Sequence, residues 1–190
     1  MAYRQILIDT CSYLRIAKTI HPLLGVPFGK PQYALYIIPQ IKIELDRKDA
    51  FRSQFDWLKE TNYILERKKV VSFNKVVAGQ IDDAYDFIWD FQKDGNYGLS
   101  SEDVYCIATS NVMGLPLVTD DRNIRRVARE FNIKKLDTLE LLKLMLVNKF
   151  ISISVIDDIM ITLQRENDLP YSFRKTYTEL FRKPFPEAEQ

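Results

Sequence analysis

The sequence predicts an α/β fold in which a central parallel sheet is covered by helices on both faces. Short apolar segments that we interpret as strands occur at 5–8, 36–38, 70–73, 116–119 and 135–136. Between them lie stretches whose apolar residues recur at helical spacing. Strands that alternate with helices are typical of parallel sheets, because a parallel connection needs a crossover, which is usually a helix. We therefore expect a three-layer α/β/α arrangement.

In the first half of the chain, the first strand ends at Asp9 and leads into a helix at about 12–20. A loop rich in Pro and Gly follows at 21–33, and it is long for a compact connection. Pro39 then suits the first position of a helix, where its missing N–H group costs nothing. A further helix is expected at about 51–66.

In the second half, apolar residues share one face of a predicted helix at 75–93. The next helix opens at Ser100 and closes at Gly114, a residue that tolerates the left-handed end of a helix. A helix at about 122–131 precedes the last strand. The remaining predicted helices lie at 139–147, 154–165 and 171–181.

This pattern divides the chain into three parts. We predict a core domain at 1–148, a helical extension at 149–183 and a tail at 184–190 that we expect to be disordered. The total of 190 residues is enough to bury a sizeable core.

Composition excludes several classes of protein. The chain is 46% apolar and 28% charged, which is ordinary for a soluble globular protein. Neither a membrane-spanning run nor a signal-peptide pattern is present, so we expect a cytoplasmic protein without membrane contact. The single histidine, His21, excludes metalloproteases that need two. Cys11 and Cys106 lack the spacing of a zinc site, and we expect free thiols.

Four acidic residues are candidates for one metal site. Asp9 and Asp121 follow strands directly, and ligands of open parallel sheets bind beyond the carboxyl ends of the strands. Asp103 opens a helix, and Glu44 lies in the helix that begins at Pro39. Carboxylates about 4 Å apart repel by roughly 4 kcal/mol at an effective dielectric near 20, and bound Mg²⁺ or Mn²⁺ would remove that repulsion.

Each acid also has an ordinary structural explanation. A strand-end Asp or a first-turn Asp often caps a helix, and a helical Glu often pairs with a Lys four residues on. The alternatives are helix capping for Asp9 and Asp121, an ion pair with Lys48 for Glu44, and a capping box with Ser100 for Asp103.

Four segments resemble the PIN-domain ribonucleases, especially the VapC-type toxins. They are ILIDTCSYL at 6–14, IIPQIKIEL at 37–45, SSEDVYCIATSNVMGLPLVTDDRNI at 100–124 and the segment after Lys135. The resemblance implies a PIN-like fold and Mg²⁺- or Mn²⁺-dependent endoribonuclease activity. It implies RNA as substrate and, for a toxin–antitoxin pair, a cognate antitoxin as partner. The residues it assigns are Asp9, Glu44, Asp103 and Asp121 as metal ligands and catalytic residues, with Thr119 orienting a carboxylate.

The chain departs from the family pattern in three places. The loop at 21–33 is longer and richer in Pro and Gly than is usual, and the chain continues some 40 residues past the usual end of the domain. Asp120 adds a second acid beside Asp121, so either could be the fourth ligand. The extension could bind a protein partner, form a homodimer or contact RNA.

Basic residues follow the last acid at helical spacing. Arg122, Arg125 and Arg126 are candidates for RNA phosphate contacts, with Arg129 on the same stripe and a solvated helix face as the alternative. The acidic row that begins at Asp82 is expected to be such a solvated face.

Several other classes of protein are disfavoured because specific residues or segments that they need are missing. A haloacid-dehalogenase-like phosphatase needs an Asp where Cys11 stands, and a receiver domain needs one where Asn74 stands. A dinucleotide-binding fold needs a Gly-rich first turn. A flap-endonuclease-like activity lacks its helical insertions. The open alternative is a catalytically inactive PIN-fold module that binds RNA or protein.

Overall fold

A computed structural model of the chain describes residues 3–47 and 53–188, and it confirms the α/β class. Four strands form one parallel sheet in the order β2-β1-β3-β4. Their bounds are β1 (Arg4–Ile8), β2 (Tyr33–Tyr36), β3 (Leu117–Val118) and β4 (Lys135–Leu136).

Helices connect and flank these strands. Within the described residues they are α1 (Thr10–Ala17), α2 (Pro39–Asp46), α3 (Thr61–Glu66), α4 (Lys75–Asp94), α5 (Ser101–Met113), α6 (Arg122–Glu130), α7 (Thr138–Val147), α8 (Ile153–Arg165) and α9 (Phe173–Phe181). A 3₁₀ segment, Ser53–Lys59, precedes α3. No helix in these two described ranges combines the length and apolarity needed to cross a bilayer.

Helices cover both faces of the sheet. Successive residues of a strand point to opposite faces, and Ile6, Leu7 and Ile8 are all buried. Leu117 and Val118 of the neighbouring β3 are buried as well. This burial on both sides is what a three-layer arrangement requires.

Most predicted elements are confirmed, because local signals specify their ends. Pro39 occupies the first turn of α2. The Ser100 side chain caps α5 at one end, and Gly114 ends it with a left-handed φ of 64°. The Asn74 side chain accepts a hydrogen bond from the Val77 N–H and caps α4.

Three predictions about elements are wrong. β2 covers Tyr33–Tyr36 rather than 36–38, because its pairing starts where Tyr33 lies beside Arg4 of β1. The segment at 70–73 is no strand: it makes one bridge, between Ile37 and Val70, in the short space between α3 and α4.

The third concerns the helix expected at 51–66. It is interrupted at Phe55, whose φ of −109° and ψ of 21° are not helical. Positions 51 and 52 lie outside the described residues.

The C-terminal extension packs into the same hydrophobic core as the sheet. Ile156, Met160 and Tyr177 are completely buried members of that core. Residues 184–188, which we expected to be disordered, lie against these helices: Phe185 contacts the Tyr177 ring at a centroid distance of 5.3 Å. The division at residue 148 stays a prediction.

Candidate functional site

The carboxyl ends of the strands meet at one edge of the sheet, as parallel pairing requires. Asp9 follows β1, Thr119 follows β3 and Asp137 follows β4. Pro39 starts α2 just after β2, and α5 runs toward the opposite edge, where β3 begins. The start of α5, which carries Asp103, therefore lies on the carboxyl side of the sheet.

Asp9 is the most buried of the four predicted acids, with 3% of its surface exposed. Its Oδ1 accepts a hydrogen bond from the Ser12 N–H at 2.7 Å and so caps α1. Burial raises the pKa of Asp9 to about 6, and the hydrogen-bonding Thr119 hydroxyl only partly offsets this rise. The cost of burying the ionised Asp9 carboxylate is therefore not fully offset by its surroundings.

Thr119 lies between two of the acids. Its hydroxyl is close enough to Asp9 to lower the pKa of that carboxyl, and it accepts a hydrogen bond from the Asp121 N–H at 3.1 Å. The Thr119 carbonyl accepts a further bond from Arg125 Nη1 at 3.1 Å. These contacts connect the ends of β1 and β3 with the start of α6.

Glu44 and Asp103 approach the same region from α2 and α5. Burial raises the pKa of Glu44, and the negative charge of Asp103 adds to this rise. Thr10 Oγ1 donates to Glu44 Oε2 at 2.6 Å. Burial likewise raises the pKa of Asp103, as does the charge of Asp121, so these acids lie within each other's field.

The thiol of Cys106 lies near acids from two helices and a strand end. Cys106 is 1% exposed, and its pKa lies well above the usual value because of burial. Negative charges raise it further, and they come from Asp9, Asp103, Glu44 and Glu102. One buried atom of α5 therefore lies in the field of three of the four predicted ligands.

Asp120 and Asp121 have different surroundings. Asp120 pairs with Arg15 Nη1 at 2.9 Å and accepts bonds from the Thr138 N–H at 2.9 Å and hydroxyl at 2.6 Å. Asp121 is exposed, and its Oδ1 caps α6 by accepting from the Asn123 and Ile124 N–H groups. Its Oδ2 accepts no hydrogen bond from the described residues, which favours Asp121 as the fourth ligand.

The acidic side chains converge, but within the described residues they do not form a complete set of metal ligands. In the part of the chain that the structure describes, no three His, Cys, Asp or Glu side chains are placed to share one ion. The donor set nevertheless consists of carboxylate and hydroxyl oxygens, which hard cations prefer. Mg²⁺ commonly keeps several waters and takes only one or two carboxylates, so it does not require three protein ligands around one ion.

The structure confirms the ordinary explanations for three of the four acids. Asp9 and Asp121 cap helices, and Asp103 forms a capping box with Ser100. The suggested Glu44 partner, Lys48, lies outside the described residues. Capping and metal binding are compatible, since a carboxylate has two oxygens.

The arginines predicted to bind phosphate differ in how strongly other residues hold their side chains. Arg125 is tied to the Thr119 carbonyl and lies 4.0 Å from Glu140. Arg126 stacks over the Tyr97 ring at 5.2 Å. Arg122 is exposed at the start of α6.

Sequence reasoning missed two contributors to this edge. Glu102 adds a fifth negative charge near Glu44 and Asp103, and its position next to Asp103 was the available signal. Thr10 orients Glu44, but no local pattern indicates a contact across 34 positions. Both cysteines are free, as predicted; we also expected both to be buried near the site, but Cys11 is exposed.

Comparison with known proteins adds little. No protein-family model matches the chain, and no curated protein is similar to it in sequence. A chain of the crystal structure of FitAcB from Neisseria gonorrhoeae is similar with a TM-score of 0.41 and 14% sequence identity. The match covers 70% of this chain and 98% of that chain, and a similarity this weak supports no conclusion about function. The fold and the site define an α/β protein with an acidic edge.

Proposed function

We propose that this chain is a PIN-like, Mg²⁺- or Mn²⁺-dependent endoribonuclease. The observation that carries the proposal is the convergence of Asp9, Glu44 and Asp103 around the buried Cys106, at the edge where parallel sheets bind ligands. Burial raises the pKa values of these three carboxyls, and neighbouring negative charges add to the rise, so a divalent cation would stabilise their ionised forms.

We assign the bound ion and the surrounding residues different roles in this reaction. A bound divalent ion would supply an acidified water and charge stabilisation at the scissile phosphate. Asp9 and Asp121 would bind the ion directly, while Glu44 and Asp103 would bind it directly or through water. Thr119 holds Asp9 and the start of α6 in fixed positions.

RNA cleavage is expected to depend on Mn²⁺ and to fall in Asp103→Asn. Loss of one carboxylate that acts directly or through water should lower activity by about 10- to 100-fold, the range for outer ligands of metal sites. Asp82→Asn is the matched control, because Asp82 is exposed on α4. The rate of cleavage of a labelled RNA is measured over a Mn²⁺ titration.

Two outcomes would contradict the proposal. Cleavage that persists in excess EDTA would exclude a metal-dependent mechanism. RNA binding without cleavage at any Mn²⁺ concentration would support the catalytically inactive module instead. The antitoxin partner, the homodimer and the cytoplasmic location stay predictions.

Divalent metal is expected to raise the melting temperature, and more so at high pH. Above about pH 6 Asp9 is ionised and its burial is unfavourable, so a cation stabilises the native state. Below that pH the cation has to displace a proton. Saturation at about 100 times the Kd adds about 2.7 kcal/mol, or roughly 5–10 °C for a chain of this size.

The measurement is a thermal melt with and without Mg²⁺ at about pH 8 and about pH 5, either side of the Asp9 titration. Glu44 and Asp103, whose pKa values burial also raises, act in the same direction. A shift that is larger at the acidic pH would show that the ion binds elsewhere.

A further inference from the structure

A basic groove runs beside the acidic edge and is closed on one side by the C-terminal extension. The cavity has a volume of about 670 Å³. One wall is α6, which presents Arg122, Arg125, Arg126 and Arg129, and Lys135 of β4 lies below it. The opposite wall is the segment 170–173, which leads into α9.

The charge in this groove is predominantly positive. Five basic side chains line it, against the two acids Asp120 and Asp137. Asp120 is already compensated by Arg15 at 2.9 Å, and Asp137 Oδ1 accepts the Glu140 N–H at 2.7 Å as the cap of α7. Although the whole chain carries a net charge of only +1, this surface can attract a polyanion.

Tyr171 places an exposed aromatic ring on the wall of the groove. It is the most exposed large apolar side chain of the described residues, and its ring stacks on none of them. A fully solvated Tyr ring in a cationic groove is suited to stack on a nucleobase, because every base has a π-face.

An ion-pair chain fixes this wall to the candidate site. Arg15 Nε and Nη2 bond both carboxylate oxygens of Asp168 at 3.0 and 2.9 Å, while its Nη1 bonds Asp120. Asp168 lies just before the segment that carries Tyr171. The extension is therefore held at a defined position relative to the end of β3.

We propose that this groove binds a single-stranded polynucleotide, with its phosphates on the α6 arginines and an unpaired base stacked on Tyr171. Only unpaired bases present their faces to a side chain, whereas a duplex hides them in its own stack. That the strand is RNA rests on the proposed function. Asp120 lines the groove and is the chain neighbour of Asp121, so a strand bound there would lie beside the acidic edge.

Binding is tested by fluorescence anisotropy with the full-length protein in EDTA, where metal-dependent cleavage cannot occur. The probes are a short labelled single-stranded RNA, the DNA strand of the same sequence and the corresponding RNA duplex. Tyr171→Ser is expected to weaken binding of the single strands about 5- to 150-fold, the range for loss of one stacked base. Tyr171→Phe keeps the ring and should keep the affinity.

The salt dependence provides a second readout that a folding defect would not produce. Arg122→Gln is expected to reduce the slope of log K against log[salt] by about 0.7, the value for one phosphate contact of a single strand. The matched controls are Tyr3→Ser and Arg4→Gln, whose exposed side chains lie at the opposite edge of the sheet. Neither control should change affinity or slope.

The outcomes separate the groove from the proposed function. Equal binding of RNA and DNA single strands, with weaker binding of the duplex, would support the groove. Wild-type affinity in both Tyr171→Ser and Arg122→Gln, or preference for the duplex, would overturn it even if Mn²⁺-dependent cleavage is found. Strand binding that follows the predictions without any cleavage would overturn the nuclease proposal alone.

Discussion

Replacement of Asp9 with Asn is expected to reduce Mn²⁺-dependent RNA cleavage by at least about 100-fold, because changes to outer ligands of metal sites already cost 10- to 100-fold. Asp9 is the only buried member of the four predicted ligands within the described part of the chain. Asn has nearly the same shape but no negative charge, so it is a weaker ligand for a hard cation than the carboxylate it replaces.

The same substitution is expected to stabilise the metal-free protein at neutral pH. Burial raises the pKa of Asp9 from 3.8 to about 6, so the native state binds the proton more tightly than the unfolded state. Stability therefore rises as the pH falls from above 6 to below 3.8 and is lowest where Asp9 is ionised. One pKa unit corresponds to about 1.4 kcal/mol, and removal of the charge should recover up to about 3 kcal/mol at pH 8.

Asn also preserves the local structure that Asp9 supports. It is among the preferred helix caps, so its side-chain oxygen can still accept the Ser12 N–H at the start of α1. Thermal melts in EDTA at about pH 8 and at about pH 4 measure the effect, and the gain should shrink at the lower pH.

Asp82→Asn, on the exposed face of α4 and outside both the acidic edge and the groove, is the control for this substitution as well. It makes the same chemical change at a distant carboxylate and should leave cleavage intact. Undiminished cleavage in Asp9→Asn would refute the assigned site, and a less stable Asp9→Asn protein at pH 8 would show that the ionised carboxylate is already compensated.

The parts of the fold that could be predicted are those whose ends carry local signals. The capping box at Ser100 and Asp103, the glycine at 114 and the proline at 39 act within one helical turn. Each therefore specifies an element end wherever the rest of the chain lies. The first strand could also be predicted from the sequence, because a short apolar run that ends in Asp9 has few other interpretations.

The misplaced strands depend on distant pairing partners. The run Tyr33 to Ile38 is apolar almost throughout and offers no alternation from which to choose a start. Its register is set by β1, where Arg4 pairs with Tyr33. The segment at 70–73 has strand-forming residues, but among the described residues it makes only a single bridge, between Val70 and Ile37.

The candidate site shows the same limit. The order of the acids along an alternating chain was sufficient to expect them at one edge. The different surroundings of Asp120 and Asp121 could not be predicted, because they depend on Arg15 and Thr138, which contact Asp120 from distant segments. The basic groove could not be predicted from the sequence either. Its second wall is held by a hydrogen bond between Arg15 and Asp168, which are 153 positions apart.

Replacement of Glu66 with Ala is expected to destabilise the fold by about 2–5 kcal/mol, because it leaves buried backbone donors without an acceptor. Glu66 is the last residue of α3 and is 6% exposed. Its Oε1 accepts both the Leu23 and the Leu24 N–H groups at 2.6 Å, and Oε2 lies 2.8 Å from His21 Nδ1. One side chain thus holds the start of the long 21–33 loop.

The loop cannot satisfy those donors by itself. Leu23 and Leu24 are almost fully buried as part of the hydrophobic core, so their N–H groups cannot turn to water without exposing the side chains. Each orphaned N–H costs about 1–3 kcal/mol. For a chain of this size the melting temperature should fall by roughly 5–20 °C, at about 2–4 °C per kcal/mol.

Glu66→Gln separates the hydrogen bonds from the charge. Gln retains a side-chain oxygen that can accept both N–H groups, so its melting temperature should stay much closer to that of the wild type. A Glu66→Ala protein that melts like the wild type would show that the loop is anchored mainly by its buried apolar side chains, such as Phe28. Equal destabilisation by Ala and Gln would instead assign the effect to the negative charge opposite His21, because the two substitutions share only the loss of that charge.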